Sequence, residues 1–342
     1  MQISTTTSKQ AIDNAVLFKA QYILIDAGWY GSEYNESSDA TSWLPQPKKD
    51  LFDLIQIIEY GKSKGIGVFL YVNDIALKKQ VHEIAPLYSK WGVKGVKFGF
   101  VNLVDSQDVE RILNYVKIFY NYKLLVNIHD NYRPSGISTT MRNLLSIEGI
   151  QGDEHGPNSL HSLYLPFLRY IAGEADHTFV YDKERLKKMG KTPMHQCALP
   201  IILYSPLQHL FWYQSQPEIL RLFEHIESDY PNLQIWKDLP TTWKKTVPLG
   251  GEVGKWISIA REKGDGSWFI ATICHEEVKK IPITLDFLSE NQNQGWNILR
   301  YRDRYDDPYS PSIVEKLTAK SGDTLFVSLL NSGGEVLILT RQ

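Results

Sequence analysis

The first 150 residues alternate short apolar runs with segments in which apolar residues recur at helical spacing. Apolar runs of this length, bounded by polar, Gly or Pro residues, are typical of buried strands. They occur at residues 2–6, 21–26, 67–72, 95–102, 124–128 and 144–147. Helices are predicted between them at residues 9–20, 51–64 and 81–91, and after the potential cap Asp105. Strands that alternate with helices in this way predict βαβ units and a parallel sheet.

The residues at the strand ends distinguish two parallel-sheet folds. A doubly wound sheet usually carries a glycine-rich phosphate turn after an early strand, and no G-x-G-x-x-G occurs in the chain. Instead, strand after strand ends in Asp or Asn, which suits the ring of loops at one end of a (β/α)8 barrel. We therefore predict a (β/α)8 TIM barrel over residues 1–241, with residues 179–181 and 200–206 at or near its last two strands.

Beyond residue 241 the pattern changes to short alternating runs. Such runs lie at residues 256–260, 267–273, 281–285, 296–300, 324–329 and 335–340. Turn residues separate them, for example at residues 264–266 and 332–334. Six or seven short strands at this spacing predict a small antiparallel all-β sandwich domain over residues 242–342.

Composition narrows the possible partners. The net charge is −2 and 22% of the residues are charged, which gives no electrostatic reason to expect nucleic acid or an anionic membrane as a partner. No apolar run approaches the roughly 20 residues of a membrane helix, and no signal peptide is recognisable. Because Met1 directly precedes a predicted strand, we expect a fragment, or a partner segment encoded elsewhere. Cys197 and Cys274 are expected to be free and buried.

Acids follow several of the predicted strands. They are Asp26, Asp74, Asp130, Glu148, Asp153 and Glu154. Any one of them alone is better explained as a helix cap or a solvated loop charge, but the set on one barrel face indicates a functional cluster. Two carboxylates that face one bond can divide the roles of acid and base, as in glycoside hydrolysis. Three or more can also hold Ca2+, which prefers six to eight oxygen ligands.

Basic residues near these acids each have a functional and a structural interpretation. His129 can hydrogen-bond to a substrate or to a neighbouring acid. Zinc is disfavoured because the spacing of His129, Asp130 and His155 matches no regular zinc pattern. Arg133 can orient a carboxylate or a sugar hydroxyl, or it can brace its own loop. Lys97 is predicted to point inward or at the rim of its strand, with a buried ion pair as the alternative.

Aromatic residues are plentiful, with 9 Trp and 19 Tyr. Such side chains often line sugar sites because the apolar face of a sugar ring stacks on them, although packing explains most of them. Trp29 and Tyr30 closely follow the acid Asp26 at a strand end. They are candidates for a sugar platform, and packing at the barrel mouth is the alternative.

Several segments carry a resemblance to a known family. They are Ile25-Asp-Ala-Gly-Trp-Tyr-Gly31, Trp91-Gly-Val-Lys-Gly-Val-Lys97, Val126-Asn-Ile-His-Asp-Asn-Tyr-Arg-Pro-Ser-Gly136, Ile147-Glu-Gly149, Gly152-Asp-Glu154, Tyr204-Ser-Pro-Leu-Gln208 and Asp238-Leu-Pro-Thr-Thr-Trp243. Together they resemble glycoside hydrolase family 97, and the stretch from Glu148 to Glu154 is the most specific part. The resemblance implies an α-glucosidase or α-galactosidase with a central barrel, a C-terminal β-domain and a bound Ca2+.

The resemblance also implies partners and a location. The substrate would be an oligosaccharide or another α-glycoside. Members of the family carry a large N-terminal β-sandwich that this sequence does not show, so such a domain is a possible missing partner. Family likeness points to a periplasmic or secreted bacterial protein, whereas the sequence shows no export signal of its own and leaves the location unknown.

Carried over position by position, the resemblance assigns roles to individual acids. Glu154 would be the general acid that protonates the leaving oxygen. Glu148 would be a Ca2+ ligand, with Glu154 and Asp130 also close to the ion. The residues expected to contact the substrate are Asp26, Trp29, Lys97, His129 and Arg133.

The stereochemistry implied by the resemblance depends on three positions. The retaining branch of the family places a nucleophilic aspartate where this chain has Gly99, which argues against a covalent intermediate. The inverting branch activates water with two glutamates, and the matching positions here are Asp74 and Asp130. Both are one methylene shorter, which would displace the base by about 1 Å and can change the rate about 100-fold.

These observations predict a Ca2+-dependent, inverting α-glycosidase with Glu154 as acid and Asp74 or Asp130 as base. One alternative is a barrel that still binds α-linked sugar but no longer cleaves it. The other is a retaining α-galactosidase, which would need a nucleophile from a position other than 99.

Overall fold

The computed structural model describes residues 3–43, 52–211, 218–220, 224, 231–288 and 294–342. The chain divides into two compact units, Met1–Ile150 and Gln151–Gln342. The domain boundary predicted near residue 242 stays a prediction.

Within the described ranges, no helix is both long and apolar enough to cross a lipid bilayer. Cys197 and Cys274 are free and buried, as predicted.

The first unit alternates strands and helices. Its elements are α1 (Thr5–Leu17), β1 (Tyr22–Ile25), α2 (Leu54–Lys64), β2 (Gly67–Asn73), α3 (Asp74–Trp91), β3 (Gly95–Gly99), α4 (Ser106–Asn121), β4 (Leu125–Ile128) and β5 (Leu144–Ile147). The strands form one parallel sheet in the order β1-β2-β3-β4-β5. Nearly all residues of β2, β3 and β4 are buried, as expected for a parallel sheet covered on both faces.

The start of the chain differs from the prediction. The strand expected at residues 2–6 is wrong over the residues described there, because α1 begins at Thr5. The hydroxyl of Ser4 accepts the backbone N–H of Thr7, and the hydroxyl of Thr7 accepts the backbone N–H of Ser4. This reciprocal cap satisfies amides that a helix start leaves unpaired, so the threonine-rich run folds as a helix. The helix start predicted at Leu51 lies outside the described residues.

The parallel pairing brings the residues that follow β1 to β5 to one edge of the sheet. These residues are Asp26, Asp74, Phe100, His129 and Glu148. The four acids predicted within the first unit therefore all lie at or next to this edge, with Asp130 directly after His129.

The second unit begins with short elements and continues into an all-β part. The short elements are a 3₁₀ turn (Asp153–His155), α5 (Ser159–Tyr164), β6 (Phe179–Val180), α6 (Lys183–Met189), α7 (Pro193–Ile202), β7 (Leu210–Phe211) and α8 (Leu233–Asp238). β6 and β7 pair in parallel. Residues 200–206, expected at or just before the last strand, are the end of α7 and the segment that leads to β7.

Over residues 242–288 and 294–342, the structure describes eight strands of the all-β part. They are β8 (Lys245–Glu252), β9 (Trp256–Glu262), β10 (Trp268–Cys274), β11 (Val278–Thr284), β12 (Gly295–Arg302), β13 (Ile313–Lys320), β14 (Thr324–Leu329) and β15 (Gly334–Arg341). Six form an antiparallel sheet in the order β13-β12-β15-β10-β9-β8, and β11 pairs with β14. Residues of both sheets share one core, in which Trp268 and Trp296 are buried. The predicted class, a parallel sheet with helices followed by an antiparallel all-β domain, is confirmed.

The two strands that the pattern did not predict, β8 and β13, lie at the edges of the six-stranded sheet. β8 contains Pro248, Gly250 and Gly251, which weaken a strand signal but are tolerated at an edge. β13 is largely exposed and carries lysines, another feature of edge strands. Their sequences therefore reflect the edge position rather than a buried face.

Within the second unit, Asp303 joins α7 to the β-sheet. Its Oδ2 accepts a hydrogen bond from the hydroxyl of Thr192, the N-cap of α7, at 2.7 Å, and one from the N–H of Gly334 at 3.0 Å. A Cβ at Gly334 would overlap the backbone of Met194 and His195, so only glycine allows this approach. The carboxyl group of Asp303 is buried, and burial raises its pKa to about 7.

Candidate active site

Glu148 organises the turn at the end of β4. This buried carboxylate accepts the backbone N–H of Asp130 through Oε2 at 2.7 Å, and the same oxygen lies 3.4 Å from Nδ1 of His129. Asp130 has a φ of 66°, a left-handed conformation that Asp tolerates better than most residues. Its own Oδ2 accepts the N–H of Val101 at 3.2 Å. The structure thus brings together three residues predicted for the site, His129, Asp130 and Glu148.

Asp74 is held by cations. It is the first residue of α3 and is buried. Its Oδ1 lies 2.6 Å from a guanidinium nitrogen of Arg111, and its Oδ2 lies 3.1 Å from Nζ of Lys78. Arg111 is shared with Asp108, at 2.8 Å. Both oxygens of Asp74 are thus engaged by cations, and its role as a base stays a prediction.

Lys97 and Asp26 form the ion pair that the sequence left as an alternative. Nζ of Lys97 lies 3.0 Å from Oδ2 of Asp26. The lysine is nearly buried, whereas about half of the Asp26 side chain is exposed. The ammonium group also lies 5.9 Å from the ring centre of Tyr71. The pairing leaves Asp26 accessible at the rim, and the substrate contacts of both residues stay predictions.

Tyr71 fills the space beside Gly99. A Cβ at position 99 would overlap the ring of Tyr71, so no other side chain fits there while the tyrosine keeps its place. Burial raises the pKa of Tyr71 well above its usual value, which keeps the phenol protonated. Its hydroxyl accepts a hydrogen bond from the side-chain amide of Asn73 at 3.3 Å. Neither Gly99 nor the protonated Tyr71 is therefore an anionic group.

Trp29 packs inside the first unit and does not form a sugar platform. Its side chain is 1% exposed, and its indole N–H donates to the carbonyl oxygen of Tyr71 at 2.8 Å. The indole contacts the rings of Tyr30 and Tyr88 edge to face. Tyr30 is also buried, and its hydroxyl accepts the N–H of Asn73. A sugar ring needs an exposed aromatic face, so the structure corrects the predicted role of Trp29 to packing.

Arg133 lies in the exposed loop after β4. It makes no hydrogen bond or ion pair with any other residue that the structure describes. The alternative role, bracing of its own loop, is therefore not supported. Its contact with a carboxylate or a sugar hydroxyl stays a prediction.

In the second unit, Asp153 anchors the 3₁₀ turn that carries Glu154. Asp153 is fully buried and receives Nζ of Lys191 at 2.9 Å and Nε2 of His177 at 3.1 Å. The side-chain amide of Gln196 also donates to it. Burial by itself would raise the pKa of Asp153, but His177 and Lys191 hold it well below its usual range. The turn is thus attached to a buried ion pair, although Asp153 itself is closed to substrate.

Arg185 binds the same turn from outside. Its Nη2 donates to the carbonyl oxygens of Asp153 and Glu154, each at 2.8 Å. These bonds involve the main chain, and the side chain of Glu154 is exposed. It lies at a cavity of about 660 Å³ whose wall also includes Asp182 and Lys188. Glu154 is therefore an accessible carboxyl group on a rigidly held turn.

The second unit also contains a histidine and aspartate pair that the sequence did not indicate. Nδ1 of His209 lies 2.7 Å from Oδ2 of the buried Asp176, which also accepts the N–H and the hydroxyl of Thr178. The ring of His209 is partly exposed. A carboxylate that fixes a histidine ring in this way is a common element of active sites.

Two family sequence models match the chain. The model described as glycoside hydrolase 97 matches residues 1–150, and the model described as glycosyl-hydrolase 97 C-terminal, oligomerisation, matches residues 242–340. The chain belongs to glycoside hydrolase family 97. Residues 151–241, which include Glu154, lie outside both matched ranges.

Curated relatives in family 97 are about twice as long as this chain. The chain is 26% identical over 309 residues to a retaining alpha-galactosidase of Bacteroides thetaiotaomicron, an alignment that covers 84% of this chain and 43% of the relative. It is also 26% identical over 352 residues to a probable retaining alpha-galactosidase of Streptomyces bingchenggensis, which covers 97% of this chain and 49% of the relative. The chain thus spans about half the length of the curated relatives it matches.

Solved structures support the fold. A family 97 enzyme of Pseudoalteromonas sp. strain K8, solved in complex with acarbose, superposes with a TM-score of 0.84 at 24% identity over 99% of this chain and 56% of that one. A beta-arabinopyranosidase superposes with a TM-score of 0.79 at 19% identity, over 98% of this chain and 53% of that one. At these identities the likeness concerns the fold alone.

Several residues of this family 97 chain that contact the predicted site were not identified from the sequence. Arg111, Tyr71, Arg185 and Lys191 each contact a predicted residue or its turn, yet no motif includes them. Their partners lie 28 to 38 positions away along the chain in all four cases.

Proposed function

We propose that this family 97 chain hydrolyses α-linked galactosides or glucosides. The observation that carries the proposal is Glu154, an exposed carboxyl group beside a cavity of about 660 Å³, on a turn held by Arg185 and the buried Asp153. A cavity of this volume is in the range of small-ligand sites. The names of the curated relatives support galactosides, and the acarbose complex of a structural neighbour supports α-glucoside-like ligands.

In the proposed reaction, the carboxyl group of Glu154 donates its proton to the glycosidic oxygen as the bond between that oxygen and the anomeric carbon breaks. Asp130 takes a proton from a water molecule, whose oxygen forms the new bond to the anomeric carbon. Glu154 ends as a carboxylate, and Asp130 ends protonated. We assign the base to Asp130 because Arg111 and Lys78 engage both oxygens of Asp74.

The proposal also specifies that hydrolysis inverts the configuration at the anomeric carbon. Position 99 carries no carboxylate, Tyr71 fills the space beside it, and burial keeps that phenol protonated. These features support direct attack by water over a covalent intermediate at this position. The curated relatives are named as retaining enzymes, so the stereochemistry of this chain needs its own measurement.

The first product anomer tests inversion. With 4-nitrophenyl α-galactoside and 4-nitrophenyl α-glucoside as substrates, we expect the β-anomer of the free sugar to form first, because water attacks the face opposite the leaving group. Proton NMR within the first minutes of turnover distinguishes the anomers before they equilibrate. A solution of the pure α-sugar, recorded in parallel, calibrates mutarotation. If the α-anomer forms first, the reaction proceeds with retention and the argument from Gly99 is wrong.

We further propose that Ca2+ is held by Glu148 and Asp130, with Glu154 as an additional ligand. The donors are carboxylate oxygens, the ligand type that Ca2+ prefers. Glu148 is buried, its Oε2 accepts the backbone N–H of Asp130, and the same oxygen lies 3.4 Å from Nδ1 of His129. When bound, the ion would offset the mutual repulsion of the acids.

Removal of Ca2+ is expected to reduce both stability and activity. After EGTA treatment, the melting temperature should fall, and CaCl2 at 100 times its dissociation constant should restore about 2.7 kcal/mol of unfolding free energy. Calorimetric titration should show that Glu148→Gln weakens Ca2+ binding about tenfold or more. Glu110→Gln, at an exposed position of α4, is the matched control. Identical Ca2+ isotherms for Glu148→Gln and wild type would exclude Glu148 as a ligand.

A further inference from the structure

Phe100 is exposed at the edge where the acids lie. It directly follows β3, and its side chain is 49% exposed, whereas Phe98 and Val101 on either side are fully buried. At Phe100 the backbone has a φ of 53°, and this left-handed conformation turns the side chain out of the core. The chain thus places a large aromatic ring in solvent between two core residues.

The left-handed conformation makes this choice of residue informative. Gly adopts it freely, and Asn and Asp adopt it at little cost, but a bulky side chain there is an outlier. If the turn only had to bury Val101, glycine would serve better and would expose no apolar ring. Strained residues of this kind cluster at functional sites. We therefore infer that phenylalanine occupies this position because its aromatic ring has a function.

A second exposed aromatic residue lies against Phe100. The ring centre of Tyr34 is 5.0 Å from that of Phe100, with an angle of 74° between the planes. Tyr34 is 64% exposed, so the pair remains open to solvent on its outer faces. Edge-to-face pairing fixes the two rings relative to each other. The pair is hereafter the Phe100–Tyr34 platform.

Polar groups surround the platform. The N–H of Val101, one residue after Phe100, donates to Oδ2 of Asp130, the proposed base. Next along the chain, the exposed side-chain amide of Asn102 accepts a hydrogen bond from that of Asn131 at 3.4 Å. An apolar ring bordered by amides and a carboxylate matches a sugar, which presents an apolar ring face edged by hydroxyl groups.

We propose that the Phe100–Tyr34 platform stacks on the apolar face of a pyranose ring in an α-linked oligosaccharide. The identity of the ligand rests on the proposed glycosidase function, whereas the platform itself rests on the exposure, strain and pairing of the two rings. It takes the role that the sequence analysis had given to Trp29, which is buried.

Calorimetric titration with panose and with raffinose tests the platform. The background is Glu154→Gln, in which hydrolysis does not interfere with binding. We expect Phe100→Gly and Tyr34→Ala to weaken binding of at least one trisaccharide about tenfold, and Phe100→Trp to stay within about twofold because it keeps an aromatic face. Tyr120→Ala is the matched control, since Tyr120 is 51% exposed on α4. This control should bind as the background does.

Thermal unfolding of the same variants separates binding from folding. Phe100→Gly relieves the left-handed strain, so its melting temperature should rise by about 2 °C or stay unchanged while binding is lost. A lower melting temperature together with unchanged binding would show that the ring is structural and would overturn the inference. Absence of binding to both trisaccharides in the background and in wild type would also overturn it.

Failure of the platform inference can be distinguished by experiment from failure of the proposed hydrolase function. If wild type binds a trisaccharide through Phe100 but releases no sugar from any α-glycoside, the platform stands and the hydrolase proposal fails. If wild type hydrolyses α-glycosides and Phe100→Gly and Tyr34→Ala leave KM and binding unchanged, the hydrolase proposal stands and the platform fails.

Discussion

Replacing Glu154 by Gln is expected to lower kcat for an α-linked disaccharide by about 10³-fold. Loss of a general acid typically costs 10² to 10⁴ in rate, and Gln cannot supply the proton that the leaving oxygen needs. The fold should be unaffected because the hydrogen bonds from Arg185 reach the carbonyl oxygen of residue 154, not its side chain. An unchanged melting temperature and circular dichroism spectrum would verify this.

Comparing substrates with different leaving groups tests the role of Glu154 more sharply than kcat for one substrate. An aryl glycoside such as 4-nitrophenyl α-galactoside departs with little protonation, so Glu154→Gln should reduce its cleavage far less than that of the disaccharide. Glu276→Gln, at an exposed position of the second unit, is the matched control and should behave as wild type. Equal turnover of the disaccharide by Glu154→Gln and wild type would exclude Glu154 as the acid and favour a protein that only binds sugar.

Asp303 is expected to contribute a loss of stability as the pH rises from about 4 to 7. Burial raises the pKa of Asp303 from its usual 3.8 to about 7 in the fold. Across this interval the folded protein retains a proton that the unfolded chain has released. The contribution of Asp303 to the unfolding free energy therefore decreases with pH by up to about 1.4 kcal/mol per unit, or about 4 kcal/mol in all, and levels off above pH 7.

Asp303→Asn should remove this contribution, because an amide does not titrate. Urea unfolding at pH 4, 5, 6, 7 and 8 gives the unfolding free energy at each pH. Its decrease with rising pH should be smaller for the variant than for wild type. Part of the slope should remain, since burial also raises the pKa of Glu335 to about 7. Asp286→Asn, an exposed carboxyl group in the same unit, should leave the slope as in wild type. Equal slopes for Asp303→Asn and wild type would show that Asp303 is ionised in the fold.

The fold was predictable to the extent that its signals are local. The apolar runs ending at Asp26, Asp74 and Glu148 marked strands because a buried strand of a parallel sheet is apolar on both faces. The same rule failed at residues 2–6, where the mutual hydroxyl cap of Ser4 and Thr7 outweighs the strand preference of threonine.

The site was predictable in residue type but not in contacts. The resemblance drew attention to His129, Asp130 and Glu148, and the structure places them in mutual contact. Trp29 had the sequence neighbours of a sugar platform, yet its indole faces the core. Phe100 drew no attention because an isolated phenylalanine at the end of an apolar run resembles a core residue.

By itself, the sequence determined the alternation of strands and helices up to residue 150, the all-β end of the chain and the gathering of acids after the strands. These follow from hydrophobic period, turn residues and caps, all of which act over a few positions. Only the tertiary structure decided that Arg111 neutralises Asp74 across 37 positions and that a ring occupies the space beside Gly99. Such contacts depend on strand register and on how helices pack against the sheet, and no local pattern encodes the distance between residues far apart in the chain.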